Sequence, residues 1–359
     1  MNTPPTPPLG VIEGFFGASW HWECRQRLIH FLHERRYSFY IYAPKDDACL
    51  RRHWRQSWPD SIRAELEALR AICRHEQIAF GIGLSPLDLC HQLETDGTTA
   101  FEAKIRELNQ LQPDILCLLF DDMRGDIPHI ASTQAELIRR ATALTTASRV
   151  ILCPTYYSDD PVLEKVFGPR PANYWTTLKH ELDPQVDIFW TGPSVCSDSY
   201  PLAHLDDVGE RLGRQPVLWD NYPVNDGAVK SRHLHLRPFA AGHAQLPGHI
   251  AAHVVNPMNQ FWLSLPALAS LPLAYEQGAH YQPQTLIKPL LHDLCGQPLG
   301  DMLLADLPAL QDQGLDSLSH KTKQELLDKY CALPESGFSR ELINWLNGKY
   351  AFDPACLTD

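Results

Sequence analysis

The sequence predicts a (β/α)8 TIM barrel with a C-terminal helical appendage, and three observations carry that prediction. Short β-rich runs recur about every 30 to 40 residues, with helical patterns between them. Most are near-continuous apolar stretches, which is how strands of a parallel sheet read when both faces are covered. Eight such β/α units in about 260 residues match the barrel in count, length and order. A doubly wound open sheet is the competing architecture.

In order, the strand runs are LGVIEGFFG (9–17), FYIYAP (39–44), AFGIGLS (79–85), ILCLLFDD (115–122), RVILCPTYY (149–157), VDIFWTGP (186–193), PVLWDNYP (216–223) and HIAAHVVNP (249–257). Ser19 is placed to cap the first helix. Pro59-Asp60 opens another, whose Leu66, Leu69, Ile72 and Cys73 fall on one face. Residues 1–8 read as a flexible Pro-rich lead-in and 9–275 as the barrel. From 276 to 359 no strand pattern appears, and HKTKQELLDKY and FSRELINWLNGKY read as short amphipathic helices.

The chain has 359 residues, 44% hydrophobic and 21% charged, a globular composition. Its net charge of -12 argues against general affinity for nucleic acid or anionic membranes. No apolar stretch reaches the roughly 18 residues of a membrane helix. The N-terminus lacks the basic start and apolar core of a signal peptide. Ten cysteines are scattered singly, which fits a reducing, cytoplasmic setting and argues against structural zinc.

Polar residues gather at the C-terminal ends of the strand runs. Glu13 and Gly14 follow the first, Lys45, Asp46 and Asp47 the second, and Asp121 and Asp122 the fourth. Tyr156 and Tyr157 follow the fifth, Trp219, Asp220, Asn221, Asn225 and Asp226 the seventh, and Asn256 the eighth. At one isolated position an Asp or Asn is ordinarily a helix cap or a turn former. In a (β/α)8 barrel, however, all these ends open on the face where active sites lie. Carboxylates and amides that grip hydroxyls, with aromatics to cover a ring, make up an inventory suited to a sugar.

Asp121 and Asp122 are adjacent, which is unusual for glycoside hydrolysis. Retaining enzymes ordinarily hold two carboxyl groups about 5–5.5 Å apart across the scissile bond, and inverting ones about 6.5–9.5 Å. Neighbouring carboxylates suit a different division of labour, in which one protonates the leaving oxygen and the other orients a nucleophile belonging to the substrate, a 2-acetamido carbonyl. Proximity of the two charges raises the pKa of one, keeping it protonated for acid work. Two metal readings compete. Asp121 and Asp122 could ligate magnesium or calcium, but no Gly-rich phosphate loop or further ligand set accompanies them. The HLH at His233–His235 resembles paired zinc ligands but lies away from a strand end, and is read as surface or structural.

Taken in order, GVIEGFFG, YAPKDD, LLFDDM, CPTYY, WTGP, LWDNYPVND and the NP after the eighth run resemble glycoside hydrolase family 84, the O-GlcNAcase and β-N-acetylglucosaminidase family, from Gly10 to Gln260. The resemblance implies retaining removal of terminal β-linked N-acetylglucosamine through an oxazoline formed by the substrate's acetamide. It implies that Asp121 holds the acetamido N–H and that Asp122 is the general acid, then base. Gly14 and Lys45 would meet hydroxyls near O3, and Tyr157 the acetamido oxygen. Trp219 would wall the acetyl-methyl pocket, Asn221 would lie near the acetamide, Asp226 would bind the O4/O6 side, and Asn256 another hydroxyl. No metal or organic cofactor is implied. Phe16 and Tyr156 depart from the family's usual Tyr and acidic residue, and MRGD after the pair departs from its usual continuation.

The expected protein is therefore a cytoplasmic exo-β-N-acetylglucosaminidase acting on a GlcNAc-bearing glycoprotein, glycopeptide or oligosaccharide, with no nucleic-acid or membrane partner. The C-terminal helices offer a surface for a homodimer. A catalytically weak GlcNAc-binding protein and a divalent-metal hydrolase are the alternatives.

Overall fold

In the computed structural model, which describes residues 5–91, 96–350 and 352–358, each apolar run becomes a short strand with its polar residues at or beyond the strand's end. The strands are β1 (Leu9–Ile12), β2 (Phe39–Tyr42), β3 (Ala79–Leu84), β4 (Ile115–Leu119), β5 (Arg149–Cys153), β6 (Asp187–Trp190), β7 (Val217–Asp220) and β8 (Ala252–Val255). Neighbours pair in parallel around a closed barrel, and β1 against β8 completes it with Gly10 opposite Val254. The predicted (β/α)8 barrel is the observed fold. Residues 1–4 of the expected lead-in lie outside the described residues; at its end the Pro8 carbonyl accepts from the His253 N–H at 2.9 Å.

The helices around the barrel are α1 (Trp22–Glu34), α2 (Asp60–His75), α3 (Thr98–Leu108), α4 (Ile130–Leu144), α5 (Pro161–Phe167), α6 (Tyr174–Glu181), α7 (Leu202–Leu212) and α8 (Phe261–Gln277). Helix α2 begins at Asp60 after Pro59 and buries Leu66, Leu69 and Cys73 of the predicted face, with Ile72 partly buried. Ser19 does not cap α1, which starts later, with His21 at the cap and no side-chain bond there. One unit departs from the expected β/α alternation. Between β7 and β8 the chain forms only two 3-10 turns, Lys230–Arg232 and Ala241–Gln245. Pro223, Pro238 and Pro247 fall in this stretch, each without a backbone N–H to donate.

Four more helices follow: α9 (Pro283–Cys295), α10 (Gln297–Leu307), α11 (His320–Cys331) and α12 (Gly337–Leu346). Their buried Leu290, Leu303, Leu342 and Trp345 belong to the same apolar cluster as the barrel strands. Two polar contacts fasten α12. Trp345 Nε1 donates to the Ser231 carbonyl at 3.0 Å, and Glu341 Oε2 accepts from the Leu263 N–H at 3.1 Å. Glu341 thus covers the N-terminus of α8, where backbone N–H groups lack helical partners.

Burial pushes the Glu341 carboxyl up to about 8, against the pull of the Leu263, Trp262 and Phe261 N–H groups. A folded value raised above the ordinary 4.5 means that its contribution is whole below that pH and is lost as pH rises through about 8. The melting temperature is therefore expected to fall less steeply between about pH 6 and 9 in Glu341→Gln than in wild type. Equal slopes in parallel calorimetric scans would show that Glu341 does not titrate there.

Candidate active site

The strand of residues 115–119 is held by β3 and β5, and its pairing runs one residue further, where the Phe120 N–H donates to the Cys153 carbonyl at 2.9 Å. Asp121 and Asp122 come next, beyond the alternation of a strand. Asp122 has φ of +55°, in the left-handed region that Asp tolerates better than most residues. That turn of the backbone lets both neighbouring side chains line one cavity at the C-terminal mouth of the barrel.

Gly14, Asp121, Asp122, Tyr157, Trp219, Asn221, Asp226 and Asn256 all line this cavity. Lys45, the remaining predicted site residue, is buried behind Asp121 and bonds through Nζ to its Oδ2. The other oxygen, Asp121 Oδ1, is buried with no partner among the described residues. A buried acceptor left open in this way is uncommon, and it needs an N–H or O–H donor. Tyr157 donates its hydroxyl to Asp122 Oδ1 at 3.2 Å. Loss of solvent, then the Asp121 charge beside it, push the Asp122 pKa above the ordinary carboxylate value, against the pull of Lys45, Arg51 and the Tyr157 hydroxyl.

The opposite wall is a chain of hydrogen bonds across three strand ends. The Gly14 N–H donates to Asn256 Oδ1 at 3.1 Å, and Asn256 Nδ2 donates to Asn221 Oδ1 at 3.0 Å. Trp219 Nε1 donates to the same Asn221 oxygen at 2.9 Å, while Asn221 Nδ2 donates to the Val195 carbonyl at 2.7 Å. Gly14 is required by the close approach of that indole. A Cβ there would lie 2.3 Å from the Trp219 ring. Asp226 accepts from the Phe16 N–H at 2.8 Å, tying the β7–β8 segment to the end of β1.

Glu13 and Tyr156 are among the strand-end residues that do not line this cavity. Glu13 is fully buried in a bidentate pair with Arg25, at 2.8 and 2.9 Å, and also takes the Tyr40 hydroxyl. Tyr156 turns away, donating to the Gly168 carbonyl at 2.8 Å. The His233–His235 stretch is structural. His233 Nδ1 meets the Gln311 carbonyl at 2.9 Å, and burial pushes buried His235 down to about 3. The donor set best suited to a cation was not visible in sequence, because its members are far apart: Asp220, His243 and His253 bring three ligand atoms within 4.8 Å of one another. These atoms already bond to each other, Asp220 Oδ2 accepting from His243 and His253 Nε2 at 2.9 and 3.1 Å. Burial opposes that carboxylate, yet the two histidine bonds hold it far below the usual carboxylate range. None of the three lines the cavity of the aspartate pair.

Sequence reading also missed Cys356 and Thr358, which line the cavity from the C-terminal segment. The Thr358 side chain reaches the Tyr157 hydroxyl, while Phe352 and Leu357 stay exposed. With this segment in place about 50 Å³ of open volume remains. Small-molecule pockets commonly enclose about 300 Å³ or more, and Cys356 and Thr358 take up part of this one.

A parallel barrel that gathers paired carboxylates, amides and an indole at its catalytic face is the architecture of a glycoside hydrolase. Comparison with known proteins narrows the class. The profile of the β-N-acetylglucosaminidase family matches residues 9–305, and the chain belongs to this family, glycoside hydrolase family 84, as its motifs imply. It is 27% identical over 279 residues to the protein O-GlcNAcases of Rattus norvegicus and Mus musculus, a match covering 75% of this chain and 30% of theirs. The chain thus matches less than a third of the length of these curated relatives. A solved structure of a mutant O-GlcNAc hydrolase from Thermobaculum terrenum shares the fold, with a TM-score of 0.78 and 24% identity over 96% of this chain and 81% of that one. Among the described residues no helix is long and apolar enough to cross a membrane.

Replacing residues 352–358 with a Gly/Ser stretch is expected to raise the affinity for free N-acetylglucosamine several-fold, read by titration calorimetry. An unchanged affinity would mean that the segment leaves the cavity at no cost.

Proposed function

We propose that this protein is a retaining exo-β-N-acetylglucosaminidase of the O-GlcNAcase type, acting on terminal β-linked N-acetylglucosamine of a glycoprotein, glycopeptide or oligosaccharide. The observation that carries the proposal is the unpartnered, buried Oδ1 of Asp121 beside an Asp122 whose pKa is raised. In the first step the acetamido carbonyl oxygen attacks C1 while Asp122 passes its proton to the departing glycosidic oxygen. Asp121 accepts a hydrogen bond from the acetamido N–H and balances the positive charge of the forming oxazoline ring. In the second step Asp122, now a carboxylate, takes a proton from water, which opens the oxazoline at C1 from the face the aglycone left. Two displacements at C1 return the β configuration.

The remaining residues are read in the same pose. Trp219 and Asn221 wall the acetyl end, and Tyr157 stands over the carbonyl oxygen. Gly14 serves the O3 side, Asp226 the O4 and O6 side and Asn256 a further hydroxyl, while Lys45, buried behind Asp121, acts through that carboxylate. The reaction so read uses no cofactor.

With an aryl β-N-acetylglucosaminide, Asp121→Asn and Asp122→Asn are each expected to lose at least about a hundredfold in kcat, the low end for a general acid-base. Activated leaving groups, which need no proton, should rescue Asp122→Ala far more than Asp121→Ala. Retention of near wild-type rates by both Asn variants would sink the assignment, as would loss of turnover on chelation.

A further inference from the structure

We propose that Arg51 is a positioning residue for this reaction: its buried guanidinium pins the main chain of Asp122 and supplies a positive charge to the aspartate pair. The inference rests on reading Asp122 as the general acid. Arg51 lies in the turn-rich segment after β2, nine residues past that strand's last residue, Tyr42. It is 6% exposed. One guanidinium nitrogen donates to Ser85 Oγ at 3.0 Å and another to the Asp122 carbonyl at 3.3 Å, and its face lies over the Phe16 ring at 5.4 Å. Among the described residues, neither hydrogen-bond partner carries a charge. A buried cation bonded only to neutral oxygens is costly unless a negative charge lies close by, and here the aspartate pair supplies it.

The second half of the argument is conformational. Asp122 takes the left-handed backbone that brings its carboxyl beside that of Asp121, a conformation that costs a non-glycine residue free energy. The guanidinium bond to its carbonyl holds that turn. Ser85 braces the other side of the guanidinium, its Oγ donating to the Leu119 carbonyl at 3.2 Å, so Arg51 is tied to the strand that carries the pair. The segment itself is docked there, with the Ser85 N–H donating to the Leu50 carbonyl at 2.8 Å and Trp54 Nε1 to the Leu87 carbonyl at 3.1 Å. The charged and titratable groups facing Asp122 are Asp121 from its own loop, Lys45 and Arg51 from the segment after β2, and Tyr157 and Cys153 from β5 and its loop. Asp226 and Lys230 line the same cavity from the β7–β8 segment.

Arg51→Gln keeps a hydrogen-bond donor and removes the charge, whereas Arg51→Lys keeps the charge and loses the planar fork. The test is kcat/KM against pH, on an aryl β-N-acetylglucosaminide with a poor leaving group and on one with an activated leaving group. In Arg51→Gln the alkaline limb is expected to move up by about one pH unit, the lower end for removing a nearby opposite charge. In Arg51→Lys the limb should stay in place while kcat on the poor leaving group falls about tenfold, the scale of one bond to a charged donor. The activated substrate should be little affected in both. A merely structural role would lower both substrates alike and leave the limb unmoved; that result overturns the proposal. If Arg51→Gln does not fold, Arg51→Lys decides alone, and wild-type kcat on the poor leaving group overturns it. Asp122→Ala run in parallel separates the two claims: if it shows no dependence on leaving group, the general-acid reading fails rather than the role of Arg51.

Discussion

The site depends on one electrostatic constraint: two adjacent carboxylates share a cavity wall largely removed from water. Repulsion between them would be severe in a low-dielectric setting. The buried Lys45–Asp121 ion pair sets a positive charge against one carboxylate, while loss of solvent and then the Asp121 charge raise the proton affinity of Asp122. Lys45 and Arg51 both come from the segment after β2, so one stretch of chain supplies the positive charge for both aspartates. Asp47 anchors that stretch, accepting the Tyr42 hydroxyl at 2.9 Å and Trp58 Nε1 at 2.8 Å. Of the three polar residues after β2, Asp47 is therefore part of the scaffold and Lys45 part of the site.

Adjacency of the aspartates matters because it excludes the usual two-sided arrangement. Two carboxylates on one turn cannot flank a glycosidic bond at the separations that ordinary retaining or inverting hydrolysis requires. They can serve one face together if the substrate brings its own nucleophile. The open Oδ1 of Asp121 is what such a substrate would meet, and the Gly14–Asn256–Asn221–Trp219 chain of bonds keeps the facing wall rigid. Preorganised donors and acceptors of this kind need no reorganisation during reaction.

The helices after the barrel are tied to the site through the β7–β8 segment. That segment has no α-helix to stiffen it, yet it carries Asp226 and Lys230 into the cavity. Its support comes from outside. The Leu234 N–H donates to the Leu310 carbonyl at 3.0 Å, Gln311 Oε1 accepts from the Leu236 and Arg237 N–H groups at 2.9 and 3.0 Å, and Trp345 reaches Ser231. The C-terminal helices thus support, by tertiary contact, a unit that has no α-helix of its own. The segment after α12 then runs back over the cavity, so the C-terminal region both props one wall and covers the mouth.

The barrel was legible because its determinant is local: eight apolar runs with helical periods between them can bury both faces of a parallel sheet in few other ways. The predicted site residues were legible as strand-end polar groups, and Gly14, Asp121, Asp122, Tyr157, Trp219, Asn221, Asp226 and Asn256 do meet in one cavity, with Lys45 behind it. Strand-end position alone did not distinguish these from Glu13 and Tyr156, to which the family resemblance assigns no role, because which way a strand-end side chain points depends on a partner elsewhere: Arg25 for one, the Gly168 carbonyl for the other. Arg51, the Asp220–His243–His253 cluster and the returning Cys356 and Thr358 were invisible for the same reason, since long-range packing alone brings them together. Residue types and their order along the chain determined the fold and the kind of chemistry. Tertiary structure decided which charges face each other, because electrostatic and hydrogen-bond energies depend on distance in space and not on separation along the chain.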